Sequence, residues 1–86
     1  MSVIKTEILI LKATLSDLRD QKSESENRIE SLVSIIRSIL SPYETDYTAF
    51  DISRGLIAMK DLSAEQKKLK NIIAQISKIE DDLGVK

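Results

Sequence analysis

The sequence predicts an all-α protein: a long coiled-coil helix followed by an antiparallel return helix, a helical hairpin that associates into an oligomeric bundle. Three observations point there. Aliphatic residues recur every three or four positions through both halves of the chain. Only two glycines and one proline interrupt its 86 residues. The apolar and polar bands of the first half return in reverse order in the second. The chain reads as one domain over residues 1–86. A helix spans about 3–40, a connection about 41–47, and a helical return about 48–84, with a candidate break near 61–64.

The first helix rests on its heptad phase. Ile4, Ile8, Leu11, Leu15 and Leu18 are spaced 4, 3, 4, 3, and Ile29, Leu32, Ile36 and Ile39 repeat 3, 4, 3. The polar stretch between them, "DQKSESENR" over 20–28, keeps the two series in one register and holds no Gly or Pro. A loop has no reason to preserve that phase, and Glu24 and Arg28 have helix-stabilising i, i+4 spacing. One helix of roughly 55 Å is therefore expected. Those nine aliphatic residues form a candidate oligomerisation seam, and Lys22 and Ser25 are its polar members. Polar seam residues lower stability while selecting register and strand number; the alternative is a weak, hydrated waist. Ile and Leu are distributed along the seam in a way that fits a parallel dimer, while Ile36 and Ile39 also admit a trimer. Towards the end of the helix Val33, Ile35 and Leu40 widen the apolar stripe beyond a two-stranded seam.

The return helix is expected to cover that stripe. Ser41-Pro42-Tyr43-Glu44 has the order of a helix start, with Thr48 as a later candidate. Ile52, Leu56 and Met59 then give one helical phase, and Leu69, Ile72, Ile76, Ile79 and Leu83 another. The shift implies a break near Ser63, where Ser63-Ala64-Glu65-Gln66 resembles a capping box, or a stammer in a continuous helix. Gly55 costs the helix about 1 kcal/mol relative to Ala, or permits close helix approach. Gly84 is a natural stop. Folding the chain at about residue 44 sets 29–40 opposite 48–59 and 20–28 opposite 60–68, matching apolar with apolar and polar with polar.

Composition excludes several function classes. No cysteine or histidine is present, so disulfides, thiolate chemistry and histidine-based proton transfer or zinc binding are ruled out. Thirteen basic residues nearly balance fourteen acidic ones, without the basic footprint of a nucleic-acid binder. Lys67-Lys68-Leu69-Lys70 reads as a solvated helix face, and Glu44, Asp46 and Asp51 as a solvated acidic connection rather than a cation site. The longest apolar run, Ile8 to Leu11, is too short to span a bilayer. A cytoplasmic protein with no membrane association, no cofactor and no catalytic residue is expected. Tyr43, Tyr47 and Phe50 have i, i+4, i+7 spacing on one helical face. They either plug the end of the bundle or dock a protein partner.

Two anchors carry a family resemblance. Glu7-Ile8, Leu11-Lys12, Asp17 and Asp20-Gln21 form the first, and Lys60-Asp61-Leu62-Ser63-Ala64-Glu65 the second. In their order and spacing, over roughly Thr6 to Glu65, the chain resembles the small tail-fibre assembly chaperones of T-even-type phages. After Gln66 it departs from them, continuing as an apolar helix where the family pattern turns acidic. The resemblance implies a non-enzymatic helper in the host cytoplasm that promotes folding and trimerisation of phage fibre proteins. The competing expectation is a structural oligomerisation or adaptor module with a permanent protein partner.

Overall fold

A computed structural model describes the backbone of residues 2–41 and 43–84, and side chains from Lys5 onward. Two features of the sequence reading, the Ile4 seam side chain and Pro42 as the opening residue of a helix, lie outside the described residues. Helix α1 runs over Ser2–Ile39 and helix α2 over Ile52–Leu83. The two pack antiparallel as a hairpin of 70 × 18 × 16 Å. No described helix is long and apolar enough to cross a membrane.

Helix α1 passes through residues 20–28 without interruption. Its phase is held by the seam itself, since Ser25 is fully buried and Gln21 and Lys22 are half-buried. The expected i, i+4 pair of Glu24 with Arg28 is replaced by a contact across the hairpin, from Arg28 to Glu65.

The first-helix seam is occupied within the chain. Leu15 and Leu18 are buried against Ile72 and Ile76, with Ile79 and Leu83 packed at the margin. Leu11, Ile29, Leu32, Ile36 and Ile39 are half-buried, and Ile8 is 40 % exposed. Within one chain the return helix covers this stripe. Burying one such side chain contributes about 1.5–3 kcal/mol, so the Leu15–Leu18–Ile72–Ile76 cluster is the main apolar stabilisation of the hairpin's open end.

The return helix differs from expectation at its start and in its phase. It begins at Ile52, later than Ser41 or Thr48 would have it. The Asp51 side chain accepts from the Arg54 N–H at 3.1 Å, which satisfies one of the unpaired donors of the first turn. No break occurs near Ser63, and no stammer is needed. The sheltered positions of α2 are Gly55, Ala58, Leu62, Glu65, Leu69, Ile72, Ile76, Ile79 and Leu83, an unbroken 3, 4 alternation. The apparent shift came from following the large aliphatic residues. At the tip-proximal end the seam holds small residues, and Ile52, Leu56 and Met59 stand outside it. Gly84 ends the helix in the left-handed conformation at φ 70°, its N–H donating to the Asp81 carbonyl at 3.1 Å.

Gly55 faces Ile39 with room to spare. A Cβ at position 55 would meet Ile39 Cγ2 at 3.6 Å, an ordinary van der Waals distance. Gly55→Ala is therefore expected to raise the unfolding free energy by about 0.5–1 kcal/mol, because a helix-interior glycine loses more conformational entropy than alanine. Urea unfolding checks this; a lower midpoint for the variant would mean that the helices approach more tightly there than 3.6 Å implies.

Candidate functional site: the polar waist, the tip and the apolar groove

The waist is built from Ser25, Arg28 and Glu65. Ser25 Oγ donates to Glu65 Oε2 at 2.6 Å, and Arg28 Nη1 lies 3.8 Å from Glu65 Oε1. Ser25 has 0 % exposure, whereas Arg28 keeps its guanidinium largely in solvent. Glu65, which lies inside the expected capping box Ser63-Ala64-Glu65-Gln66, is instead a seam residue reaching into the opposite helix. The contact fixes register. A slip of one heptad would set Ser25 against Ala58 or Ile72 and press the Glu65 carboxylate against Leu18 or Leu32. An unpaired charge in an apolar seam is costly, so the polar pair excludes both slips. Further along, Arg19 Nη2 meets Glu80 Oε2 at 3.3 Å on the hairpin surface. Both side chains lean towards the N-terminus of their own helix, which brings residues at different levels together.

The tip spans residues 40–51, and its acidic residues are consumed in shaping it. Glu44 Oε1 accepts from the Asp46 N–H at 2.9 Å. Asp46 Oδ1 accepts from the Thr48 N–H at 3.0 Å and from the Thr48 hydroxyl at 2.6 Å, capping a 3-10 turn at Tyr47–Ala49. Asp51 caps α2 as described above. Among the described residues no three acidic side chains converge as metal ligands. The aromatic residues do not share a helical face, because none of them lies in an α-helix. Tyr43 sits in a turn, Tyr47 in the 3-10 turn, and Phe50 follows it in extended conformation. Phe50 is half-buried and its ring lies 6.1 Å from that of Tyr47, tilted by 36°. Tyr43 and Tyr47 are 90 % and 78 % exposed, so within one chain they plug nothing.

Below the tip lies an apolar groove of about 270 Å³. Ile36, Ile39 and Leu40 line it from α1, and Ile52, Gly55, Leu56 and Met59 from α2. Through Met59 it continues into a second depression bordered by Ile29, Val33, Leu62 and Leu69. Leu40, Ile52, Leu56 and Met59 are all exposed. Sequence reasoning placed Ile52, Leu56 and Met59 in the helical seam. The signal for the true arrangement was present in the spacing of Gly55, Ala58, Leu62 and Glu65, which continues the phase of Leu69 to Leu83. No protein-family model matches the chain, and neither a curated protein nor a solved structure matches it.

Ser25→Ala leaves the sheltered Glu65 carboxylate without its hydroxyl donor and is expected to cost about 1–3 kcal/mol. Adding Glu65→Leu removes the stranded charge and should restore most of that loss. Urea unfolding of the single and double variants measures both effects; a loss below about 0.5 kcal/mol in Ser25→Ala would show that the carboxylate finds equivalent solvation without the serine.

The Asp46 carboxyl is held below its ordinary value of 3.8 by the Thr48 hydroxyl first and the Thr48 N–H second. A depressed folded-state value stabilises the turn above the unfolded value and loses that effect as pH falls through the folded one. The 3-10 turn should therefore loosen only at pH below about 3.8. The Thr48 amide resonance, followed by NMR from pH 6 downward, reports it. Asp46→Asn should abolish that titration, and its persistence in the variant would assign the effect to another group.

Proposed function

We propose that this chain is a non-enzymatic assembly helper that engages incompletely folded protein through the hairpin tip, and that its clients are phage tail-fibre proteins in the host cytoplasm. One observation carries the docking role: two tyrosines stand almost fully in solvent on a turn stiffened by three acidic caps. Tyrosine supplies large contact area with few rotatable bonds and is a favoured anchor in protein interfaces. The narrower identity of the client rests on the resemblance between Thr6 and Glu65 to the T-even-type fibre chaperones. No cofactor and no catalytic step enter this reading.

A second reading, a structural adaptor with a permanent partner, is favoured by the aliphatic character of the groove. Permanent interfaces are more apolar than transient ones. The two readings part at release, since a chaperone leaves the finished fibre and an adaptor stays.

Co-expression with a fibre protein, scoring soluble trimeric client, tests the proposal. The wild-type chain should raise the yield and be absent from the purified fibre. Tyr43→Ala combined with Tyr47→Ala should abolish the rescue with circular dichroism unchanged, because both side chains are exposed. Stoichiometric co-purification with the mature fibre would establish the adaptor reading, and rescue by the double variant would remove the tip from the mechanism.

A further inference from the structure

The hairpin exposes more surface than a folded monomer of its size. At 9.7 kDa it presents 6766 Å², against about 5,100 Å² expected for a compact monomeric protein. The excess, roughly 1,600 Å², is about twice what one partner contributes to a standard protein interface. Much of the most apolar surface lies on one face of the tip half. There Leu40, Ile52 and Met59 flank the seam and Leu56, at 66 % exposure, stands beyond them. The only buried apolar residue of α2 in that half is Ala58, so the seam between the two helices is thin where the flanking stripe is thick.

Charge selects what can lie on this face and in which direction. On the flank of α1 that borders the groove the waist carries Glu26 and Glu30, beside Val33, together with Arg19 and Lys22, whereas helical phase turns Asp17, Asp20 and Glu24 to the opposite flank. On the matching flank of α2, helical phase places Lys60, Lys67 and Lys70 with Leu56 and Met59, whereas Lys68 and Asp61 lie on the other flank with Arg28. Between the two waist segments of one chain a single ion pair forms, Arg28 with Glu65. Arg19 is engaged by Glu80 and Asp17 by Gln21, so Glu26, Glu30 and the three lysines are the waist charges that a second molecule on the groove face would meet.

We infer that a second copy of this chain covers the groove, the two hairpins facing each other about a two-fold axis parallel to their length, tips together. This operator stacks α1 of each copy on α2 of the other, Glu26 and Glu30 towards Lys60, Lys67 and Lys70, and makes every neighbouring helix pair antiparallel. The result is a four-helix bundle whose second seam is Leu40, Ile52, Leu56 and Met59 from both copies. The alternative two-fold, transverse to the hairpin, stacks α1 on α1 and α2 on α2. It brings acid against acid and lysine against lysine, and separates the tips by the length of the rod. The tips-together dimer also sets both pairs of exposed tyrosines at one end. The inference goes beyond the client reading and does not require it.

The chain has no cysteine, so a single Thr45→Cys spin label reports the tip without interference. Sedimentation equilibrium should give a dimer mass. Pulsed EPR should give a label separation of about 10–30 Å, set by the ordinary spacing of packed helices. Leu56→Glu should weaken association at least about a hundredfold, because a carboxylate would enter an apolar interface, while circular dichroism stays helical. Met59→Lys, at a second exposed position, should act the same way. A monomer at roughly 100 μM, an affinity too weak for a standard interface, overturns the inference. So does a trimer, a label separation approaching 70 Å, or a dimer indifferent to both substitutions. None of these readouts involves a client, so failure of the dimer and failure of the chaperone reading are separable.

Discussion

Two helices lying side by side share one line of contact, and that geometry governs this molecule. Only positions recurring at alternating intervals of three and four face the neighbour. In α1 the line runs from Leu11 to Ile39 and in α2 from Leu83 back to Gly55. A side chain off that line has no internal place to go, whatever its hydrophobicity. The exposure of Leu40, Ile52, Leu56 and Met59 is thus a consequence of hairpin geometry, with no packing failure implied.

The seam changes character along its length, and each zone has a separate physical task. At the open end, four large aliphatic side chains interlock and supply most of the apolar burial. At the middle, Ser25 and Glu65 exchange a charge-assisted hydrogen bond, which contributes less to stability than to register. Near the tip the α2 side of the seam is Gly55, open enough to admit a Cβ 3.6 Å from Ile39, and the buried Ala58. Small residues in the seam move the aliphatic bulk of α2 outward, onto the face that carries the groove.

The fold was legible because periodicity and punctuation agreed. The phase of Leu18 to Ile29 across a polar gap specified one helix, and the mirrored banding specified the hairpin. The turn between residues 25 and 65 centres on position 45, next to the expected fold at 44. The return helix was less legible because size and position conflict there. Large residues suggested a seam through Ile52, Leu56 and Met59, whereas the contact line passes through Gly55 and Ala58, whose side chains carry little periodic signal. The start of α2 was obscured because Ser41 and Thr48 have the composition of helix starts, whereas Asp51, read as part of an acidic connection, is the residue that caps it. The tip aromatics have helical spacing in the sequence, but Glu44 and Asp46 fold that segment into tight turns, which places Tyr43 and Tyr47 in solvent by local hydrogen bonding that no periodicity encodes.

The polar waist and the apolar groove depend on each other. The groove exists only while Ile36, Ile39 and Leu40 stand beside Ile52, Gly55, Leu56 and Met59. A heptad slip would carry Ile39 away from Gly55 and break the groove into separate patches. An all-aliphatic seam would tolerate such a slip at small cost, because one Ile or Leu layer packs much like the next. The Ser25–Glu65 bond removes that tolerance from the centre of the rod, far from the groove itself. Register is set by a polar contact at the waist and expressed as surface shape at the tip. A chain of this length, with one seam and few buried residues, can in this way present a defined binding face without the enclosed core that larger domains use to hold one.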